Sequence, residues 1–442
     1  MTEELLGPIA DGWRYLTLGE VCRLGGGDIQ TGPFGSQLHA SDYVADGIPS
    51  IMPVNIGENR ISDEKIARVS EDDAERLKRY RVQVGDIIYS RRGDVERRSL
   101  IREREDGWLC GTGCLRVRIG RAIADPEFTA QYLGHPAVRE WIVRHAHGAT
   151  MPNLNTSILA ACPFVLPPMR EQEAIASALG ALDDKIELNR LMNGTLEVMA
   201  RTIFKDWFVD FGPTRAKMEG RAPYFAPDIW SLFPDHLDDE GKPEGWDFGT
   251  LGDLAEQVGE SVQPGALDPE TPYIGLEHMP RKSIALSEWE GAGKVTSGKL
   301  AFRKGDFLFG KLRPFFHKVG IAPLDGICST DIVVLNARER KAAAFVLACI
   351  SQDEFVAFTD RTSDGTKMPR TSWGRMERYR LCLPSGSALE AFNACVEPLL
   401  DRIISNIHES RALAATRDLL LPKLMSGEVR VRDAAKHIGN AT

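Results

Sequence analysis

Residues 170–208 read REQEAIASALGALDDKIELNRLMNGTLEVMARTIFKDWF. Apolar residues recur in this stretch at alternating steps of four and three, the heptad spacing of a helix with a coiled-coil seam. The seam positions are Ile175, Leu179, Leu182, Ile186, Asn189, Asn193, Leu196, Ala200, Ile203 and Trp207. A shift of 217 residues gives Phe392, Val396, Leu399, Ile403, Asn406, Ser410, Leu413, Arg417, Leu420 and Leu424, with the same phase and the same polar interruption. The sequence therefore predicts two long helices with matching stripes.

The length of these helices indicates that they pair. About 35 to 40 residues at about 1.5 Å each make a helix of about 55 Å, longer than a compact domain of this size covers. The alternative is that each helix packs only on its own globular domain. Asn189 and Asn406 hold equivalent seam positions, and because a buried asparagine favours the register that gives it a hydrogen-bond partner, we expect them to set the register. Pro422 is expected to end or kink the second helix near Leu421.

The internal repeat extends beyond the helices. Met151-Pro152 matches Met368-Pro369 at the same shift, and Gly85-Asp86 matches Gly305-Asp306 at a slightly different one. Such drift is expected where loops of unequal length separate two diverged copies. The chain is interpreted as two copies of one globular-plus-helical unit, which suggests a duplicated target.

Each globular part alternates short apolar runs with turn residues and short helical stretches. Residues 13–165 and 245–384 contain runs such as 87–89 and 332–335, which are typical of strands. Each part is predicted to be a mixed α+β domain. Residues 212–244 carry five prolines and are predicted to form an extended linker with some apolar anchors.

The composition limits the class of protein. With 442 residues, 43% hydrophobic residues and a net charge of −9, the chain is expected to be globular, with two cores and no generally basic surface. We find no run of about 18 apolar residues that could span a bilayer, and no signal peptide at the start, so we expect a cytoplasmic protein that binds no membrane. The 8 cysteines form no C-x-x-C pair and are expected to be reduced and free of metal.

No motif in the sequence indicates enzymatic chemistry. We find no phosphate-binding Gly-rich loop, nucleophile elbow, zinc-protease helix or amino-methyltransferase motif. His135, His145 and His147 cluster near an amphipathic helix, where solvated or capping roles are favoured over metal ligation. We therefore predict no catalytic residue. Two alternatives are a single-chain DNA-acting enzyme with an unrecognised metal site and a coiled-coil scaffold that binds no DNA.

A basic loop follows a predicted strand at the same place in both copies. The basic residues are Arg91, Arg92, Arg97 and Arg98 in the first copy and Lys311, Arg313, His317 and Lys318 in the second. Cationic side chains at one edge of a domain suit DNA phosphates, and arginine can also read guanine in the major groove. A solvated loop is the alternative, but recurrence in both copies favours nucleic-acid binding.

A second pair of matched loops is small and polar. Residues 147–155 correspond to residues 364–372 at the shift of 217. The candidate DNA-contacting residues are Thr150, Asn153 and Asn155 in the first loop and Thr366, Lys367 and Arg370 in the second. Because arginine and serine stand where the first copy has Asn153 and Asn155, the two loops suit different base sequences.

Several segments resemble the specificity (S) subunits of type I restriction-modification systems. They are LPPMREQEAIASALGALDDKIELN (166–189), IFKDWFVDF (203–211), EGWDFGTLGDL (244–254) and LLLPKLMSGEV (419–429). TGPFGSQL (31–38) and YIGLEHM (273–279) are similar to segments of the variable domains of that family. The resemblance covers nearly the whole chain, in the right order.

This resemblance implies a domain organisation. It comprises an N-terminal segment (1–12), a first target recognition domain (13–165), a first spacer helix (166–211), the linker (212–244), a second target recognition domain (245–384), a second spacer helix (385–427) and a C-terminal tail (428–442). The implied fold class is α+β: two mixed α/β recognition domains, each followed by a long helix. The two helices would pair as an antiparallel coiled coil with pseudo-twofold symmetry.

The resemblance also implies a function without catalysis. Each domain would read one half of a bipartite, gapped sequence in double-stranded DNA, while the helices dock two methyltransferase subunits that modify adenine N6, joined by restriction subunits. S-adenosylmethionine, ATP and Mg²⁺ would belong to those partners, and this chain would carry no cofactor. Ser385-Gly386-Ser387-Ala388 departs from the P-P-x-x-E-Q entry of the first repeat, and Arg417 from an apolar seam. Docking or pairing at that end is therefore expected to differ.

Overall fold

The computed structural model describes residues 5–57, 59–148, 151–263, 265, 268–365 and 367–431. The chain divides into two compact units, residues 1–184 with 413–442 and residues 185–412. Each unit combines one globular domain with part of each long helix. The division therefore runs through the helices, because their buried faces belong to the same cores as the globular domains.

The first unit begins with small sheets and short helices. Its strands are β1 (Arg14–Thr17), β2 (Asp28–Thr31), β3 (Tyr43–Val44), β4 (Ile48–Ile51), β5 (Ala67–Val69), β6 (Ile87–Ser90), β7 (Arg98–Leu100), β8 (Leu109–Cys110), β9 (Cys114–Arg118) and β10 (Pro163–Leu166). Its short helices are α1 (Leu18–Gly25), α2 (Glu71–Arg76), α3 (Pro126–Tyr132), α4 (Pro136–His145) and α5 (Thr156–Ala161). The strands form the pair β1-β10 and two sheets in the orders β2-β9-β6-β7 and β3-β5-β4-β8.

The long helix α6 (Met169–Phe204) follows, and the second unit repeats the sequence of elements. Its helices are α7 (Gly212–Met218), α8 (Pro227–Trp230), α9 (Leu251–Leu254), α10 (Ala343–Ile350), α11 (Asp353–Arg361), α12 (Trp373–Met376) and the part up to residue 412 of the long α13 (Gly386–Ser426). Its strands are β11 (Asp247–Thr250), β12 (Ala255–Gln257), β13 (Glu260–Val262), β14 (Pro272–Ile274), β15 (Glu290–Gly291), β16 (Lys299–Phe302), β17 (Phe307–Gly310), β18 (Val319–Ile321), β19 (Gly326–Cys328), β20 (Ile332–Ala337) and β21 (Arg380–Leu383). They form the pair β11-β21 and sheets in the orders β12-β20-β17-β18 and β13-β16-β19-β14-β15.

The two globular domains share one strand plan. The antiparallel pair β1-β10 corresponds to β11-β21, and the sheet β2-β9-β6-β7 corresponds to β12-β20-β17-β18. The central strands β6 and β17 are buried along their whole length, which is why their short apolar runs were readable in the sequence. The prediction of a mixed α+β domain in each copy is confirmed.

The second long helix continues past its proline. Pro422 lies inside α13, which ends at Ser426, so the expectation that the helix ends near Leu421 is wrong, while the alternative, a kink there, stays a prediction. Proline removes one backbone hydrogen bond, but Leu424 and Met425 are fully buried in the core of the first unit. Their burial holds the last turn in place.

Within the second unit, buried polar residues join α6 to α13. Asn406 Nδ2 donates to Asn193 Oδ1 at 2.8 Å, and Asn189 Nδ2 donates to Glu409 Oε2 at 2.8 Å. The residue numbers rise along one helix as they fall along the other, so the predicted antiparallel pairing is confirmed here. Asn189 and Asn406 each bond to a different residue of the opposite helix, not to each other.

Within the first unit the two helices also run antiparallel. Arg417 Nη1 donates to Asp183 Oδ1 at 2.8 Å, and Leu424 shares a core with Ile175. The arginine that departs from the apolar seam is therefore accommodated by an ion pair across the helices. The predicted seam residues buried in their units are Ile175, Leu179, Leu182, Asn189, Phe392, Val396, Ile403 and Asn406, and those partly buried are Ile186, Leu196, Leu399 and Leu413.

The predicted linker is more structured than expected. Residues 212–244 contain α7 and α8, each with a proline in its first turn, where proline is preorganised for a helix. Phe225 and Phe233 lie 5.3 and 5.0 Å from the ring of Trp207. The apolar anchors seen in the sequence thus fold this segment onto the aromatic core of the second unit, and the prediction of an extended linker is wrong.

In the part of the chain that the structure describes, no single helix is long and apolar enough to cross a membrane. The helices Arg340–Ile350 and Asp353–Arg361 are long and apolar enough only when taken together, and the chain bends by 70° between them.

Candidate nucleic-acid interface

In the first domain, backbone hydrogen bonds fix the basic loop to the small polar loop. The basic loop leaves β6 and returns through β7, and the polar loop joins α4 to α5. Gly93 N donates to Pro152 O at 3.0 Å. Arg92, which precedes Gly93, forms an antiparallel bridge with Asn153, which follows Pro152. Two segments far apart in sequence therefore make one surface.

The second domain repeats this arrangement at the equivalent residues. Arg313 N donates to Pro369 O at 2.7 Å, and Leu312 forms an antiparallel bridge with Arg370. Pro369 and Arg370 are the residues that the repeat aligns with Pro152 and Asn153. We call residues 91–97 with 147–148 and 151–155 the first paired-loop surface, and residues 311–318 with 364–365 and 367–372 the second.

The two surfaces differ in the residue at the turn. Gly93 has a φ of +75° and Arg313 a φ of +50°. Glycine adopts this left-handed backbone readily, whereas a residue with a Cβ is strained there. His317, at the other end of the second basic loop, is also left-handed, with a φ of +52°. The second surface therefore has strained residues, Arg313 and His317, at positions where glycine would be unstrained.

The predicted site residues differ in exposure. Exposed are Arg92, Arg97, Lys367 and Arg370; half-buried are Arg91, Asn153, Asn155, Lys311, Arg313 and Lys318; buried are Arg98 and His317. Thr150 and Thr366 lie outside the described residues. Arg97 pairs with Asp94 at 2.5 Å and Arg370 with Asp331 at 3.1 Å. Exposed ion pairs of this kind are weak, so a phosphate can replace the carboxylate.

Three predicted residues hold structural bonds. Arg98, 7% exposed, donates from Nε to Ala130 O at 3.0 Å. His317, 5% exposed, has Nε2 at 3.0 Å from Ser351 O, and burial lowers its pKa. Asn155 Oδ1 accepts from Ile158 N at 2.8 Å and caps α5. These contacts anchor the loops, and direct contact of these three residues with DNA stays a prediction.

Some buried polar atoms of the paired-loop surfaces lack a hydrogen-bond partner among the described residues. They are Arg91 Nε, Asn153 Oδ1 and Thr371 Oγ1. Most buried polar atoms of folded proteins are paired, so each exception calls for an explanation. Unpartnered polar atoms beside exposed cations are expected where a polar ligand completes the site.

The sequence reading missed the apolar part of these surfaces. Met151 is 62% exposed and its counterpart Met368 is 51% exposed. Phe315 in the second basic loop is 52% exposed, and so is Phe34, whose ring centre lies 5.6 Å from the Arg91 guanidinium. The repeated Met-Pro pair was the available signal, but methionine and phenylalanine are buried by default and their exposure cannot be read from sequence.

The contacts and burial of the histidines and cysteines discussed below favour structural roles for them. His135 Nδ1 accepts from Ala137 N at 3.1 Å and caps α4, the capping role that the sequence favoured. Burial raises the pKa of the Cys110 thiol to about 12, which opposes formation of a reactive thiolate. Among the described residues, Glu277, His278 and Glu290 approach one another within 4.8 Å. His278 Nδ1 accepts from Gly275 N at 3.0 Å, so one of its two ring nitrogens is already engaged by the backbone.

The chain is similar to proteins of one family. Residues 10–197 match the family described as Type I restriction modification DNA specificity domain. The MjaIX specificity subunit of Methanocaldococcus jannaschii is 27% identical over 66% of this chain and 67% of its own length. The HindI specificity subunit of Haemophilus influenzae is 22% identical over 86% of this chain and 95% of its own length.

A solved structure supports the same fold. The S subunit of a type I restriction-modification system from M. genitalium is 16% identical, with a TM-score of 0.53 over 94% of this chain and 96% of its own. Specificity subunits recognise DNA and are not catalytic, so the prediction of a non-enzymatic chain is confirmed. Residues 10–197 thus match the DNA specificity domain of type I restriction-modification systems, and the chain as a whole is similar to the specificity subunits of those systems.

Proposed function

We propose that the two paired-loop surfaces read the two halves of a bipartite, gapped sequence in double-stranded DNA. The observation that carries this proposal is the equivalent pair of backbone bonds, Gly93 to Pro152 and Arg313 to Pro369. A common frame with different side chains is what two readers of different half-sites need. Exposed cations bind phosphates and give position, while polar side chains at the turn contact base edges and give specificity.

The side chains at the aligned turn position suit different bases. Asn153 carries a carboxamide, which pairs in a bidentate manner with adenine, whereas Arg370 carries a guanidinium, which matches guanine. We therefore assign an adenine contact to the first half-site and a guanine contact to the second. The unpartnered Oδ1 of Asn153 supports a role in binding.

A stripe on α6 suits the docking of a methyltransferase subunit. Leu188, Leu191, Val198 and Met199 are all exposed, and their spacing brings them onto neighbouring faces of one helix. An exposed apolar stripe of this kind is typical of a protein interface. Each of two methyltransferase subunits would bring S-adenosylmethionine and methylate adenine N6, and restriction subunits would bring ATP and Mg²⁺.

The equivalent positions of α13 do not repeat this apolar stripe. At the shift of 217, Ser405 and His408 of α13 stand where α6 has Leu188 and Leu191. We therefore expect the two methyltransferase subunits to dock with unequal affinity. Stepwise titration of the full chain with the methyltransferase subunit, followed by native mass spectrometry, would separate a one-subunit complex from a two-subunit complex.

Mapping of methylated adenines tests the reading function. The full chain would be expressed with its methyltransferase subunit in a host without other adenine methylation. We expect one split motif, and we expect Arg370→Ala to relax a single base in one half of it. Arg340→Ala is the matched control, because Arg340 is exposed and paired with Glu397 outside both paired-loop surfaces. A motif that Arg370→Ala leaves unchanged would exclude the assignment of Arg370, and an unsplit motif would exclude the bipartite reading.

A further inference from the structure

The most unusual side chain of the second paired-loop surface is Phe315. Its ring is half exposed at the tip of a short helical turn, Pro314–Phe316. Left-handed residues, Arg313 and His317, stand on both sides of this turn. Because a Cβ disfavours such backbone, two strained residues four positions apart point to a constraint on the loop.

The rest of the loop is firmly anchored. His317 is buried, with Nε2 at 3.0 Å from Ser351 O and Nδ1 at 3.1 Å from Asp353 Oδ1, and its carbonyl accepts from Lys282 N at 2.9 Å. At the other end, Arg313 N is bonded to Pro369 O. The phenylalanine is therefore presented from a rigid turn, which lowers the entropy lost on binding.

Its aromatic neighbour keeps the ring directed outward. The centres of Phe315 and Phe316 lie 4.7 Å apart in an edge-to-face arrangement, and the Arg281 guanidinium covers Phe316 at 4.2 Å. Phe316 is thus partly buried while Phe315 is left to solvent. In the first domain the corresponding loop has the buried Val95, so the fold of the loop does not require an exposed apolar residue.

The surroundings of Phe315 are cationic. Lys311, Arg313 and Arg370 belong to the same paired-loop surface, and the last of these is exposed. A partner that satisfies both the cations and the ring combines an anionic backbone with stacked apolar faces, which describes DNA. Proteins that bend DNA insert phenylalanine or methionine between base pairs in this way.

We propose that Phe315 is a wedge that the second recognition domain inserts at a base step of its half-site. Sequence would then be read there partly through the ease of unstacking that step. This inference rests on the proposed function of the paired-loop surfaces as DNA readers. It adds a residue and a mode of reading that hydrogen-bonding side chains alone do not provide.

The test uses the full chain assembled with its methyltransferase subunit and a duplex that carries the mapped motif. The fluorescent base 2-aminopurine is substituted at successive positions of both half-sites. We expect the wild-type complex to raise the fluorescence at one step of the second half-site. Phe315→Ala should abolish that rise and weaken binding about 10-fold, in line with the loss of one aromatic–base stack, while Phe315→Trp should preserve both.

Matched controls separate the possible failures. Phe248→Ala removes another half-exposed phenylalanine of the same unit, on β11, and should change neither signal. If the wild type binds the motif but Phe315→Ala binds and fluoresces equally, the wedge is excluded and the reading function stands. If the wild type does not select the motif at all, the proposed function fails instead. Loss of methyltransferase assembly in Phe315→Ala, with DNA signals retained, would assign the ring to a protein partner and also overturn the wedge.

Discussion

Replacing Arg313 by glycine should separate folding from DNA binding. The equivalent residue of the first domain is Gly93, which has the same left-handed backbone and makes the same bond to a proline carbonyl. Arg313→Gly therefore installs in the second loop the residue that the first loop already has. It removes backbone strain and one cation together.

The expected magnitude follows from three contributions. Relief of left-handed strain is worth about 1–2 kcal/mol, and the greater freedom of glycine in the unfolded chain costs about 0.5–1 kcal/mol. The Arg313 guanidinium lies 5.9 Å from the centre of the Phe316 ring, a contact worth about 0.5 kcal/mol when exposed. The free energy of unfolding should therefore stay within about 1 kcal/mol of the wild type. Binding should weaken by about 1–3 kcal/mol, or roughly 5- to 150-fold.

Arg313→Ala is the decisive comparison. It loses the same charge but keeps a Cβ on the left-handed backbone, so it should be less stable than Arg313→Gly by about 1 kcal/mol while binding DNA equally weakly. Urea unfolding followed by tryptophan fluorescence gives the stabilities, and anisotropy of a labelled duplex gives the affinities. Gly93→Ala mirrors the change in the first domain, where a Cβ meets open space, and should cost about 1 kcal/mol. If the alanine variant of Arg313 were as stable as the glycine variant, the argument from strain would be refuted.

Three further predictions concern the helices, acid stability and salt. Arg417→Leu should lower stability by about 3 kcal/mol because it leaves the half-buried Asp183 carboxylate without its cation, and the double replacement of Arg417 and Asp183 by leucine should restore most of the loss in urea unfolding. Burial lowers the pKa of His135 to about 4, so the folded chain binds fewer protons than the unfolded chain and loses stability as the pH falls from about 6.5 to 4. His135→Asn keeps a good helix cap, so its melting temperature should change less with pH between about 6.5 and 4. A pH dependence as steep as that of the wild type would show that His135 is not the group responsible. Lys311→Ala should weaken binding to all sequences alike and reduce the slope of log affinity against log salt by about 1, whereas a change confined to one base would make Lys311 a base reader.

Much of the architecture could be predicted because it depends on local periodicity. The heptad seam requires only that apolar residues recur at 3.5-residue spacing, and this spacing survives in both copies even where polar residues such as Asn189 and Asn406 interrupt it. The short strands at 87–90 and 307–310 could be read because they are apolar along their whole length. Local pattern failed at Pro422, where buried neighbours outweigh the lost hydrogen bond, and in residues 212–244, where aromatic anchors fold the segment.

Only part of the candidate site could be predicted from the sequence. The repeat marked both loops, since each occurs twice in the same order. It could not show that Arg98 and His317 turn inward to backbone carbonyls, or that Phe315 and Met151 turn outward. Those directions depend on which distant strand or helix lies against the loop, and no local spacing encodes them.

The sequence by itself determined that this chain is a duplicated unit with two long helices and two basic loops, because helical periodicity and repetition are properties of the chain alone. The tertiary structure decided that each basic loop joins a polar loop about 60 residues away in sequence, through the bonds Gly93 to Pro152 and Arg313 to Pro369. It also decided which side chains face solvent. Both outcomes depend on sheet pairing and on packing against the core, and these arise only when residues far apart in the chain meet.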